Sequence, residues 1–188
     1  RKAADIMEEK REELIAWICW EVAKPIREGD GEVSEAIDFC RYYAKEMERI
    51  ESGVQRNLPG EDNTYIYQPR GVVVVISPWN FPFAIALGMS VAAIAAGNTV
   101  ILKPAEQSSV IGAKIAEVLQ AAGLPTGVFT YLPAKGSTVG SHLVKHPDVH
   151  LIAFTGSQQV GCQIVTEASI LRPKQKHMKR VIAEMGGK

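Results

Sequence analysis

Four short stretches carry side chains that could do chemistry, and each follows an apolar run. Ser77-Pro78-Trp79-Asn80-Phe81-Pro82 comes after Val72-Val73-Val74-Val75-Ile76. An asparagine amide held between prolines and aromatics can donate a hydrogen bond to an oxyanion, although asparagine is equally at home in an ordinary turn. Lys103 and Glu106 follow Asn98-Thr99-Val100-Ile101-Leu102, and by themselves read as solvated charges in a strand–helix loop. Gly156-Ser157-Gln158-Gln159-Val160-Gly161 follows Phe154-Thr155. Glycine there lets backbone approach a pyrophosphate, and a following helix adds partial positive charge at its amino end. Glu184 ends the run Lys179-Arg180-Val181-Ile182-Ala183 and is either an exposed strand-end carboxylate or a general base whose proton affinity its surroundings must tune.

Several chemistries are excluded or weakened. A Walker A loop needs Gly-Lys-Ser/Thr after four spacers, but Cys162-Gln163 follows Gly161. The Gly-x-Gly-x-x-Gly dinucleotide fingerprint is also missing. His142 and His146 stand four apart, a spacing that can ligate metal, but no third ligand accompanies them, so no metal site is expected. The three cysteines, Cys19, Cys40 and Cys162, are odd in number and far apart, which argues against a disulfide framework and for a reducing compartment. That means the cytoplasm, or the mitochondrial matrix in a eukaryote. Cys19 and Cys40 read as small core hydrophobes. Cys162 begins a helix but precedes Glu184 and is not expected to be a nucleophile. Formal net charge is zero, so no global field favours nucleic acid or an anionic membrane. No apolar run reaches the ~20 residues of a membrane span.

The elements that must position these groups are legible. Ile6, Leu14, Ile15, Ile18 and Val22 mark an amphipathic helix over residues 1–23, interrupted by Pro25 and Gly29. Val33, Ile37, Cys40, Ala44 and Met47 mark a second. Residues 53–63 are polar, with Pro59-Gly60 as a turn signal, and Tyr65-Ile66-Tyr67 suits a short strand. Strands are then predicted at 71–77, 98–103, 128–132, 149–155 and 179–184, and helices at 82–96, 108–122, 137–145 and 157–170. Ser108 or Ser109 is placed to cap the helix over 108–122 and Gly123 to end it. The Val/Ile-rich strands suit a parallel sheet covered on both faces. The alternation predicts an α/β protein with an open, doubly wound parallel sheet of about five strands, preceded by two amphipathic helices, with ligands at the strands' carboxyl ends. The chain divides on this reading into a helical segment and linker, 1–62, and a nucleotide-binding core, 63–188.

Taken together, the Ser77–Pro82 loop, Lys103-Pro104-Ala105-Glu106, Gly136-Ser137-Thr138-Val139-Gly140, Gly156–Gly161 and Glu184-Met185-Gly186-Gly187-Lys188 resemble, in order and spacing, the coenzyme-binding part of the aldehyde dehydrogenase family. The resemblance implies a Rossmann-like core that binds NAD. It implies that Asn80 stabilises the tetrahedral intermediate and Glu184 is the general base. The backbone of Ile76, Ser77 and Pro78, with Trp79, would line the nicotinamide end, and Phe81 would lie toward the substrate tunnel. Lys103 and Glu106 would hold the adenosine ribose, the carboxylate disfavouring a 2′-phosphate and so NADP. Ser157 at the Gly156 turn would contact pyrophosphate, Val160 would pack on adenine, and Gly136 and Gly140 would lie beside it. All these groups are expected to converge on one crevice.

Longer stretches are similar to one branch of the family: Gln68–Val72, Ala96–Glu106, Gln175–Lys188 and Ala36-Ile37-Asp38-Phe39-Cys40-Arg41-Tyr42-Tyr43-Ala44. That branch acts on 1-pyrroline-5-carboxylate, that is, L-glutamate γ-semialdehyde, in proline catabolism, as single enzymes or as a module of bifunctional proline utilisation proteins. The resemblance implies a homo-oligomeric parent with a small aldehyde substrate. It also implies that the nucleophilic cysteine falls beyond Lys188, so that this stretch is a piece of a longer protein, inactive alone. Tyr65-Ile66-Tyr67 would belong to an oligomerisation hairpin whose partner strand is missing. The alternatives are a non-catalytic module of the same fold and a dehydrogenase for another aldehyde.

Overall fold

The computed structural model describes residues 1–187, so Lys188, the last residue of the Glu184 motif, lies outside the described residues. The chain opens with three helices, α1 (Lys2–Glu9), α2 (Arg11–Val22) and α3 (Ile26–Glu51). The first predicted helix is thus divided at Lys10, where the backbone leaves helical geometry (φ −100°, ψ 17°). Both halves pack on α3, and the change of direction lets each bury its own apolar row, Ala3, Ala4 and Met7 in α1 and Leu14 and Ile18 in α2. Ala23 takes a left-handed φ of 54° to turn the chain, and Pro25 starts α3. Gly29 does not interrupt: it lies buried inside α3, where a Cβ would meet the Ile15 side chain at 3.4 Å.

Strands β1 (Val54–Gln55) and β2 (Thr64–Tyr65) form a small antiparallel ribbon. The partner expected to be missing is therefore present: Val54 faces Tyr65 and Gln55 faces Thr64. The ribbon projects with Val54, Leu58, Tyr65, Ile66 and Tyr67 exposed.

Five strands, β3 (Val72–Ile76), β4 (Thr99–Lys103), β5 (Phe129–Tyr131), β6 (Val149–Ser157) and β7 (Arg180–Gly187), form one sheet in the order β5-β4-β3-β6-β7. Every pairing in it is parallel. The order reverses between β3 and β6, which opens a crevice at their carboxyl ends. This is the doubly wound sheet that the strand–helix alternation predicts. Side-chain alternation sorts the faces. Val73, Val75, Val100, Leu102 and Ala153 join a core with α1–α3, α4 (Ala84–Ala95) and α5 (Ser109–Ala121). Val74, Ile152 and Phe154 join a second core with α6 (Ser141–Lys145) and α7 (Gln158–Ser169).

The amino end of α5 departs from expectation. Ser108 stands at the capping position, but its hydroxyl donates to Ala105 O and does not cap. The cap comes from 90 residues away, where the Glu21 carboxylate of α2 accepts from Val110 N at 2.7 Å and Ile111 N at 2.8 Å. The other end follows prediction. Gly123 takes φ +87°, its N–H bonds Gln120 O, and Leu124 N bonds Leu119 O, so the last carbonyls are satisfied by a left-handed turn that glycine adopts freely. Among the described residues no helix is long and apolar enough to cross a membrane.

Candidate functional site

The carboxyl ends of β3, β4, β6 and β7 carry every residue singled out for chemistry except Gly136 and Gly140, which lie in a π-helical turn leading into α6. On the face covered by α6 and α7 there is a cavity of about 460 Å3. Ile76, Lys103, Gly136, Gly140 and Val160 line it, five of the residues predicted to hold a coenzyme. Ser137 of the same glycine turn, Ser141 and Val144 of α6 and Gln163, Ile164 and Glu167 of α7 complete it, and none of the last five was singled out as a site residue from sequence. Their only sequence signal is position: one or two helical turns past a glycine turn.

Lys103 ends β4 and is buried, its ammonium donating to Pro104 O at 2.9 Å. Desolvation holds it below the ordinary lysine range, with the Glu106 carboxylate opposing. Glu106 opens a 3-10 turn, is exposed, and accepts from Gly136 N at 3.1 Å. That bond ties the loop after β4 to the turn before α6. A Cβ on Gly136 would lie in ordinary contact, 3.8 Å, with the Lys103 ammonium, so the glycine that Glu106 holds sits against the lysine head group. Ser157 ends β6 and caps α7, its hydroxyl accepting from Val160 N at 3.4 Å. A Cβ on Gly161 would run into the Met185 side chain, which would have to move to admit it.

The other predicted residues do not line this cavity. Trp79, Asn80 and Phe81 border a separate one of about 290 Å3, facing the α2–α3 elbow at Val22–Pro25. All three are exposed. Ser77 is buried, its N–H donating to Lys103 O at 3.3 Å, and its hydroxyl has no hydrogen-bond partner. Glu184 is exposed on β7, opposite Thr155 of β6. Alternation puts Val181, Ala183 and Met185 toward the α6–α7 core, so Glu184 points to the opposite face. That is the face of Thr155, whose hydroxyl lies 3.6 Å from the Met89 sulfur of α4. The residues expected in one crevice thus border two separate cavities, one on the α6–α7 face and one at the α2–α3 elbow, and Glu184 borders neither. The division follows from side-chain alternation, which a list of motifs does not convey.

Cys40 is buried, and desolvation pushes its thiol up to about 11. Cys19 is half-buried on α2, and Cys162 is exposed on α7. The His142 and His146 rings meet edge to face at 5.5 Å.

Comparison with known proteins gives the arrangement its relatives. The model of the aldehyde dehydrogenase family matches residues 1–188. Over all 188 residues the chain is 50% identical to 1-pyrroline-5-carboxylate dehydrogenase 1 of Halalkalibacterium halodurans, and covers 36% of that protein. It superposes on 1-pyrroline-5-carboxylate dehydrogenase from Thermus with bound NAD at a TM-score of 0.96 and 47% identity, covering 100% of this chain and 37% of that one. It superposes equally, at a TM-score of 0.96 and 50% identity, on proline utilization A from Bdellovibrio bacteriovorus, covering 98% of this chain and 19% of that one. The chain therefore spans little more than a third of the curated relative, at 36%, and it belongs to the aldehyde dehydrogenase family.

Proposed function

We propose that this chain is the coenzyme-binding portion of an NAD-dependent dehydrogenase that oxidises L-glutamate γ-semialdehyde, the open form of 1-pyrroline-5-carboxylate, to glutamate. The reading is supported by 50% identity over the whole chain to a 1-pyrroline-5-carboxylate dehydrogenase. The observation that carries the coenzyme part is the corner where Glu106 is tied to Gly136 beside Lys103, at a cavity of about 460 Å3. That volume lies in the range of small-molecule sites. Residues and ligand fit: Lys103 and Gly136 line the cavity, the Glu106 carboxylate is tied to Gly136 N, and α7, capped by Ser157, adds Val160 to the lining.

On this reading Glu106 accepts from ribose hydroxyls and repels a 2′-phosphate, while Lys103 donates from a desolvated position where its hydrogen bonds are strong. The amino end of α7, with Ser157, takes a pyrophosphate. Val160 offers an apolar surface to a base. NAD⁺, when bound, supplies the hydride acceptor. On the opposite face Asn80 donates its amide to the oxyanion that forms as a thiolate attacks the aldehyde carbon. Glu184 takes the proton from the water that later releases the acid. The thiolate is supplied by a cysteine outside these 188 residues, since Cys19, Cys40 and Cys162 line neither compartment. The β1–β2 ribbon, with its exposed aromatic residues, serves self-association of the whole protein, which works in the cytoplasm or the mitochondrial matrix.

Calorimetric titration of this chain with NAD⁺ and NADP⁺ tests the coenzyme part. Saturable NAD⁺ binding, weaker with NADP⁺ and weakened by Glu106→Ala and by Ser157→Ala, is expected; heats that never saturate would defeat it in favour of a module that keeps the fold without the ligand. Kinetics of the catalytically complete protein test the substrate. A kcat/KM higher for simple aliphatic aldehydes than for glutamate γ-semialdehyde would remove the substrate assignment.

A further inference from the structure

Glu32 is the most buried carboxylate described, with its side chain wholly shielded from solvent. It lies inside α3, yet its bonds run to the segment that carries Asn80. One oxygen accepts from Phe83 N at 2.7 Å and Ala84 N at 3.1 Å. These are the first amides of α4, whose capping position, Phe83, offers no side-chain acceptor of its own. The other oxygen accepts from the Lys24 ammonium at 2.6 Å. Lys24 sits in the α2–α3 elbow, and its ammonium lies 3.7 Å from the centre of the Phe81 ring. Lys24, Asn80 and Phe81 border the same cavity of about 290 Å3.

The loop 77–83 is thereby pinned at two points just downstream of Asn80. Its exit is held by the carboxylate at the start of α4, and its Phe81 ring by the cation above it. Asn80 immediately precedes the held Phe81 and is itself exposed. A charge pair removed from water is a poor source of net stability compared with apolar packing, whereas it does hold geometry. We propose that Lys24 and Glu32 are positioning residues for the Asn80 amide: the buried pair sets the direction in which that amide donates. The proposal rests on the oxyanion role of Asn80 given above.

The test is a set of substitutions in the catalytically complete protein, assayed with NAD⁺ and glutamate γ-semialdehyde. Asn80→Ala is the reference, with an expected loss of about 10²–10³ in kcat. Lys24→Met combined with Glu32→Gln leaves no unpaired charge buried and so guards against a failure to fold. This pair is expected to lower kcat on the order of 10–100-fold, the cost of a misplaced catalytic group. KM for NAD⁺ should change far less than kcat, because Lys103, Gly136 and Val160 line a cavity on the other face. Amide exchange at Phe83 and Ala84 should accelerate in the same variant.

The deciding comparison is additivity. If the pair acts through Asn80, it costs nothing further in an Asn80→Ala background. The same factor in both backgrounds, or an unchanged kcat, overturns the positioning role and leaves the oxyanion reading standing. An Asn80→Ala protein with full kcat overturns the oxyanion reading and the positioning role with it.

Discussion

The two ends of the five-stranded sheet are built from the same strands and finished in opposite ways. At the amino end the backbone is closed by side chains. Asn98 Oδ1 accepts from Arg70 N at 2.7 Å and Gly71 N at 3.0 Å, and His150 Nδ1 accepts from Val72 N at 3.2 Å. The His177 ring stacks on His150 at 3.8 Å and reaches Val149 O, and Lys179 donates to His146 O. At the carboxyl end Trp79, Asn80, Phe81, Glu106, Val160 and Glu184 all stand exposed. Polar groups that satisfy one another stabilise the fold. Polar groups held in place but left free are available to a ligand. Function is therefore expected to concentrate at one edge and stability at the other, and substitutions can separate the two.

The largest effect is expected at the carboxyl edge. Asn80→Ala should cost about 10²–10³ in the kcat of the catalytically complete protein, with the melting temperature unmoved. A parallel fall in melting temperature would show that this edge, too, is structural.

At the amino edge Asn98→Ala should do the reverse. It strands two backbone donors, while the Ala93 carbonyl keeps the backbone N–H of residue 98. Urea unfolding should show a loss of about 1–3 kcal/mol, while NAD⁺ affinity stays constant.

Glu21→Ala sharpens the contrast, because Glu21 is a structural group reaching the functional edge. Losing this cap on α5 should destabilise by about 0.5–2 kcal/mol with kcat unaffected.

The smallest effect concerns pH. Desolvation, together with His177 and Lys179, holds His150 below the ordinary histidine range, and Asp148 opposes them. A depressed folded-state value means that the unfolded chain takes up the proton first. The His150 contribution is then complete above about pH 6.5, the unfolded value, and is lost as pH falls below it toward the folded value. His150→Gln should flatten the stability–pH profile in that window. A slope unchanged by the substitution would mean that the ring stack plays no part in acid sensitivity.

How much of this was readable depended on the range of the interaction. The strands β3, β4, β6 and β7 appear within one to three residues of the Val/Ile-rich runs, because a strand buried on both faces has little choice of composition. The Gly123 turn and the Ser157 cap act within a few residues of themselves and are equally legible. The Ser108 cap failed as a local inference because a competing acceptor, Glu21, arrived from a distant helix. Glu32 escaped notice for the same reason. In sequence it is one more acidic residue on a charged helix, and its partners lie 8 and about 50 positions away.

By itself the sequence determined the fold class, the positions of the apolar strands and the identity of the groups able to act, because periodicity, glycine turns and side-chain chemistry are properties of neighbours along the chain. Tertiary structure alone decided that those groups divide between two faces of one sheet. It alone decided that a Glu106–Gly136 bond ties the loop after β4 to the turn before α6 and that the stretch just after Asn80 is held by Lys24 and Glu32. The physical reason is that a carboxylate removed from water must find donors wherever packing brings them, and packing does not respect distance along the chain.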